Sequence, residues 1–189
     1  MINLNEVKVK TNPVFNNGNA GEALAKIKVV RKQPTDKPNF PDWKVSYFDQ
    51  ENRELNDGFY YLDPSKYASD EKFKNRLNYE ALRLKHMVNA LYGDEFKFPA
   101  FATPKEMLDG CMELLQAKNG TTVKVGATYG TTKRPSKNGW IQVKSTFPFI
   151  LGDLSKEISF SNSDLLERPA PSDTSADSQK SEEKLPWDQ

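Results

Sequence analysis

The chain has 189 residues, enough for one ordinary domain with a tail, and only 37% of them are hydrophobic, so we expect part of the chain to lie outside any core. Its single cysteine, Cys111, and single histidine, His86, exclude an intramolecular disulfide and a Cys/His zinc site within one chain. No apolar run approaches the roughly 20 residues of a membrane span, and the N-terminus lacks a signal-peptide core, so we expect a cytoplasmic protein without membrane contact.

Charge is unevenly distributed along the chain, although the formal net charge is only +1. Residues 169–189 carry five acids and two lysines, a charge of −3, which leaves +4 for residues 1–168. Between Leu114 and Gly152 there are six basic residues and no acidic residue. A basic body beside an acidic end predicts an anionic partner for the body.

The first half of the chain predicts three strands. Apolar residues alternate with basic ones over Ala23–Lys32, which predicts a first strand with Lys26, Lys28 and Lys32 on its polar face. Residues 33–42 contain three prolines and predict a loop. The second and third predicted strands are Trp43–Asp49 and Gly58–Leu62.

Two helices are predicted next. Ser69 is a typical N-cap for the first helix, whose apolar residues recur at helical spacing until Gly93 ends the run. Thr103 and Pro104 begin the second helix, and Glu106 completes a capping box. Cys111 lies on the apolar stripe of this second helix, so we expect it in the core.

Two further predicted strands, Thr122–Tyr129 and Trp140–Phe149, flank a loop that begins at Gly130 and ends at Gly139. On the second of these strands, alternation places Trp140, Gln142 and Lys144 on one face. An aromatic ring beside an amide and an ammonium, in a window without acids, is typical of a surface on which bases stack and phosphates are neutralised. The loop adds three cations to this surface, Lys133, Arg134 and Lys137.

The order of three strands, a helical insert and two strands matches a five-stranded OB-fold barrel, a mainly β member of the α+β class with helices between strands 3 and 4. We expect this domain to span residues 1–160. A disordered acidic tail is expected over residues 161–189, because Ser, Asp and Pro dominate after Arg168. The loops 33–42 and 130–139 then correspond to the two that grip oligonucleotides in OB-folds.

On these features the chain resembles a phage-type single-stranded DNA-binding protein. The resemblance rests on the strand order, on the segments PDWKVSYFD, DGFYYLD and YGTTKRPSKNGW, and on the acidic end with its apolar tip. It implies sequence-independent binding and protection of single-stranded DNA during replication, recombination or repair. It also implies that Leu185, Pro186 and Trp187 dock replication or recombination proteins.

The residues predicted to bind DNA come from both halves of the chain. They are Lys26, Lys28, Lys32, Trp43, Tyr60, Lys124, Tyr129, Lys133, Arg134, Lys137, Trp140, Gln142 and Lys144. For three of the aromatic residues (Trp43, Tyr60 and Tyr129) the alternative is that they fill the core, since small barrels need large side chains.

The sequence leaves two other functions open. One is a phage virion or assembly protein with a β-barrel, and the other is a small metal-dependent nuclease or recombination enzyme. Asp49, Asp57 and Asp63 are the acids considered as metal ligands, although acids in turns are common. The sequence contains no nucleophile–base pair and no cofactor motif, so we predict a non-enzymatic protein without cofactor or metal. The sequence leaves open whether the chain forms a homo-oligomer.

Overall fold

A computed structural model describes residues 14–130, 141–144 and 147–168. Helices α1 (Asp70–Tyr92) and α2 (Pro104–Gln116) lie between the third and fourth strands, and short 3-10 turns occur at Phe15–Gly18 and Pro64–Lys66. The strands of this part of the chain are β1 (Gly21–Arg31), β2 (Trp43–Phe48), β3 (Glu54–Phe59), β4 (Thr122–Tyr129), β5 (Ile141–Val143) and β6 (Ile150–Leu151).

The described strands pair antiparallel in the order β3-β2-β1-β4-β5, and β6 pairs with the first half of β4. Because β3 at one end of this order lies against β5 at the other, the sheet curls into a nearly closed five-stranded barrel. The predicted OB-fold-like architecture, with its helices between strands 3 and 4, is confirmed. Among the described helices, none is both long and apolar enough to cross a membrane.

Alternation decides which side of each strand enters the barrel. On β1, Ala25, Ile27 and Val29 are buried, while Lys26 and Lys28 between them are exposed. The same period on β4 buries Val123, Val125, Ala127 and Tyr129. The core therefore fills the barrel and continues onto the buried sides of α1 and α2.

Helix boundaries follow the predicted caps. Ser69 Oγ accepts the backbone N–H of Lys72 at 3.2 Å, and α1 ends before Gly93, whose φ of 91° favours glycine. Thr103 Oγ1 accepts the N–H of Glu106 at 3.1 Å. The predicted capping box differs in one partner, because the Glu106 carboxylate accepts the N–H of Ala102 at 3.0 Å.

Two of the predicted strands differ most from those of the structure, the third and the last. The third strand begins at Glu54 instead of Gly58, because Asp49 Oδ1 accepts the N–H groups of Glu51 and Arg53 and closes the preceding turn early. The last predicted strand is divided into β5 and β6, which pair with successive parts of β4. At the interruption, the backbone of Gly126 bonds to Lys144 on one side and Phe149 on the other.

A largely buried ion pair joins α1 to β3. Arg83 of α1 pairs with Asp57 of β3, and its guanidinium lies 4.2 Å from the ring centroid of Phe59 and 5.6 Å from that of Phe149. Burial raises the pKa of Asp57, and the charge of Arg83 offsets part of that rise. The pair therefore fixes α1 against β3 and against the residue that leads into β6.

Candidate nucleic-acid interface

One side of the β1–β2–β3 sheet is turned away from the core. Strand register places Lys26 opposite Phe48 and Lys28 opposite Ser46, and residues directly opposite each other share a face. Lys44 lies on the same face, opposite Val30. We define the open face by its cations and partly or fully exposed rings, which are Lys26, Lys28, Lys44, Phe48 and Tyr60.

Tyr60 is the most exposed ring of the open face, with 57% of its surface accessible. The preceding residue Phe59 is 3% exposed and belongs to the core, so these two neighbouring rings face opposite ways. A Cβ at Gly58 would lie 3.2 Å from Pro41 and 3.5 Å from the Tyr60 ring, which places that ring beside the end of the β1–β2 loop. Lys44, opposite Gly58, supplies a cation and is paired with Glu54 at 2.9 Å. A ring and a cation are thus presented together.

A shallow depression of about 320 Å³ lies at the other end of the open face, between β1, the β2–β3 turn and the start of β4. Lys26 and Phe48 line it together with Gln50 and Asn52 of the turn. An aromatic ring, two side-chain amides and an ammonium form a surface that can contact a base and its phosphate.

A hydrogen-bonded cluster supports the Tyr60 end of this sheet from below. Asp109 of α2 accepts hydrogen bonds from Trp43 Nε1 and Tyr61 Oη, both at 2.7 Å, and from Lys105 Nζ at 2.6 Å. Burial acts to raise the pKa of Asp109, but these hydrogen bonds hold it below its usual value. A charged Asp109 therefore ties α2 to β2 and to the segment after β3.

For Trp43 and Tyr129 the structure selects the core alternative. Trp43 is 1% exposed, and its inward position follows from the same alternation that buries Val45. Tyr129 is 6% exposed, and its hydroxyl donates to the carbonyl of Gly18 at 2.9 Å. Their prediction as stacking platforms is corrected, because neither ring can reach a base without leaving the barrel.

The outward side of β4 is covered by residues 152–168, which we call the covering segment. Ile158 of this segment is 5% exposed and packs over Gly126, where an added Cβ would lie 3.2 Å from it. The backbone N–H of Tyr129 donates to the carbonyl of Leu165 at 2.8 Å. Residues 161–168, expected in the tail, thus contact the barrel.

The covering segment also engages two predicted DNA-binding lysines. Lys124 Nζ donates to the carbonyl of Lys156 at 2.6 Å and pairs with Glu22 at 3.3 Å. Lys144 is 2% exposed, and its ammonium bonds to the Ser159 carbonyl and pairs with Asp164 at 3.3 Å. The assignment of Lys124 and Lys144 to an exposed phosphate-binding surface is therefore corrected, whereas Gln142 on the same side is exposed.

Other predicted residues are placed as follows. Lys32 is half-buried, and its ammonium donates to the carbonyl of Pro38 at 3.0 Å within the β1–β2 loop. Lys133, Arg134, Lys137 and Trp140 lie outside the described residues, as do Leu185, Pro186 and Trp187.

The three acids considered as metal ligands each have a separate role. Asp49 pairs with Arg53 at 2.7 Å, Asp57 pairs with Arg83, and Asp63 accepts the N–H of Ser65 at 3.0 Å. Within the described ranges, no three His, Cys, Asp or Glu side chains come close enough together to hold a metal ion.

Lys44 and Phe48 belong to the open face, but sequence reasoning did not single them out. The signal was present in WKVSYF, where Lys44, Ser46 and Phe48 alternate with the apolar Trp43, Val45 and Tyr47. Assigning Trp43 to the core would have turned Lys44 and Phe48 outward.

Comparisons with protein-family models, with curated proteins and with solved structures found no match for this chain.

Proposed function

We propose that this chain binds single-stranded DNA without sequence preference and protects it during phage-like replication, recombination or repair. The observation that carries the proposal is the open face, where Tyr60 stands exposed beside Lys44 and the β1–β2 loop, and where Lys26 and Lys28 are uncovered. Bases would stack on Tyr60, and the lysines would neutralise phosphates.

The depression around Phe48 extends the proposed path of the strand. A chain of nucleotides that stacks on Tyr60 would continue past Lys28 and Lys26 toward Gln50 and Asn52. The loop cations Lys133, Arg134 and Lys137 remain a predicted second contact, as in the OB-fold pattern in which two loops flank the strands. The protein would act as a binding protein and not as an enzyme.

The acidic end of the chain has a separate proposed role. Its tip, Leu185-Pro186-Trp187, would bind replication or recombination proteins while the barrel holds DNA. A buried Trp is a frequent anchor of small interfaces, which makes Trp187 the residue expected to dominate that contact.

An oligo(dT) titration at several salt concentrations tests the DNA proposal. With about five phosphate contacts, the slope of log affinity against log salt should be about −3.5. Lys26→Ala/Lys28→Ala should weaken binding and reduce the slope by about 1.4, since each contact contributes about 0.7. The matched control, Lys74→Ala/Lys97→Ala, removes two exposed cations from the helical part of the chain and should change neither quantity.

Two results would contradict the proposal. Absence of binding at low salt would instead favour a structural or assembly protein. Equal loss of affinity in both double variants would show that overall charge, and not the open face, governs binding.

A further inference from the structure

An apolar groove lies between α1 and the chain that leads into β6. Its lining residues are Tyr79, Leu82, Arg83, Phe147 and Phe149, and its volume is about 220 Å³. Leu82 and Phe147 are 64% and 62% exposed, which is unusual for large apolar side chains that stand together. The groove is smaller than the roughly 300–1,000 Å³ of typical small-molecule sites, so one or two side chains would fill it.

The walls of the groove are held in place by contacts outside it. The His86 ring packs edge-on against Phe147, with 4.0 Å between centroids, and His86 Nε2 bonds to the carbonyl of Ile150 at 2.9 Å. Arg83 is fixed by Asp57 and by the ring of Phe59. Because the walls are already ordered, binding to the groove requires little further loss of side-chain entropy.

Cations border the groove on α1. Arg76 is three residues before Tyr79, and Lys85 is three residues after Leu82, so both are neighbours of groove residues on the helix surface. The Arg76 guanidinium lies 5.4 Å from the Tyr79 ring centroid, and 48% of its side chain is exposed although it pairs with Glu80. An occupant with apolar side chains and flanking acids would complement this surface.

The C-terminal end of this chain has that chemistry. Leu185 and Trp187, separated by Pro186, are the only large apolar residues after Leu166. Acids flank them, with Glu182 and Glu183 before and Asp188 after. Residues 182–188 carry three acids and one lysine, a net charge of −2, and residues 76–85 of α1 carry three cations and one acid, a net charge of +2. The tip and the border of the groove are therefore opposite in net charge.

Chain length allows the tip to reach the groove of its own barrel. The 17 peptide steps from Arg168 to Leu185 span at most about 56 Å when extended. Leu165 bonds to Tyr129 of β4, and the groove residue Phe149 bonds to Gly126, three positions or about 10 Å along the same strand. The linker is several times longer than this separation, so it can reach the groove. Tethering also gives the tip an effective concentration on the order of millimolar at the groove. Even a weak contact through one aromatic side chain would then be occupied.

We propose that Trp187, with Leu185, docks into the groove formed by Tyr79, Leu82, Phe147 and Phe149 of the same chain. Docking would hold the acidic segment against α1 and would hide the tip until a partner protein displaces it. This proposal is independent of DNA binding, because none of its residues belongs to the open face.

Fluorine NMR of the full chain labelled with 5-fluorotryptophan tests this docking. The chain has three tryptophans, and Trp187→Phe identifies the resonance of Trp187. We expect that resonance to differ from the one given by a synthetic peptide of residues 178–189. Leu82→Glu should return it to the peptide position, as should Phe147→Glu, a second variant at an exposed position of the groove. Leu154→Glu places the same charge at a 42% exposed leucine outside the groove and should leave the resonance unchanged.

Three outcomes would overturn the proposal. A Trp187 resonance that coincides with the free peptide in the unmodified chain would mean that the tip is undocked. A shifted resonance that neither groove variant moves would place the tip elsewhere. A shift that disappears on dilution would mean that the tip docks onto a second copy and not onto its own barrel.

Discussion

The outward sides of β1 and β4 differ, although both strands place lysine between buried apolar residues and lie side by side in one sheet. On β1, Lys26 and Lys28 are exposed, and nothing among the described residues lies over them. On β4, Lys124 is tied to Glu22 and Lys156, while Gly126 and Thr128 are buried. The strand pattern is similar, but the covering segment changes its outcome.

The difference teaches that the strand pattern alone does not decide whether a cation can bind an anion, because another part of the chain can cover it. Lys144 is an example, since its buried ammonium bonds to the Ser159 carbonyl and pairs with Asp164. Burying a lysine in this way requires a paired acid and hydrogen bonds, because an unpaired buried charge is costly. On the open face, Lys26 and Lys28 stay in water, where they are available to an anion, whereas Lys44 is paired with Glu54.

The largest expected effect distinguishes a buried ring from an exposed one. Trp43→Ala should lower the free energy of unfolding by about 3–5 kcal/mol, the range for removing a large aromatic side chain from a core. Tyr60→Ala should change it by no more than about 0.5 kcal/mol, since Tyr60 is mostly exposed. Urea denaturation of both variants measures the difference. Similar losses of stability would mean that Tyr60 is also structural.

The covering segment is tested through its one buried aliphatic anchor. Ile158→Ala should lower the free energy of unfolding by about 2 kcal/mol, at the low end for buried aliphatic truncations because the segment can partly collapse onto Gly126. Leu166→Ala removes a 44% exposed side chain from the same segment and should have little effect. Affinity for oligo(dT) should not change in either variant. A clear rise in affinity for Ile158→Ala would show that the covered side binds DNA.

Tyr60 should affect binding more than stability. Tyr60→Ala is expected to cost about 1–3 kcal/mol of single-stranded DNA binding, the range for one stacking platform. Tyr60→Phe keeps the ring and should retain most of the affinity. Fluorescence titration with labelled oligo(dT) measures both. An equal loss in the two variants would indicate a role for the hydroxyl instead of stacking.

The smallest expected effect is a pH dependence that arises at Asp109, below the open face. The pKa of Asp109 is lower in the folded chain than in the unfolded chain, so the unfolded state takes up the proton first as pH falls. The stability from Asp109 is complete above its ordinary pKa of 3.8 and is lost as pH drops through the folded value. Asp109→Asn should therefore flatten the fall of stability below about pH 4. Urea denaturation at several pH values measures this. If the stability of Asp109→Asn falls below about pH 4 as steeply as that of the unmodified chain, Asp109 does not have this role.

The sequence by itself determined the order of the elements and most of their boundaries. Strand alternation identified β1, β2 and β4, because burying one side of a strand imposes a period of two. Caps at Ser69 and Thr103 located both helices, because the first N–H groups of a helix need local acceptors. These signals lie within a few residues of the structure they specify, so they can be found without knowing the fold.

Only the tertiary structure decided which polar side of the sheet is free. Lys124 bonds to Lys156, 32 positions away, and Lys144 pairs with Asp164, 20 positions away. No local sequence pattern connects these partners. The burial of Trp43 on β2 and the exposure of Tyr60 directly after β3 likewise depend on which side of the sheet turns into the barrel. Periodicity shows that a strand has two faces, but the packing of distant segments determines which of them meets water.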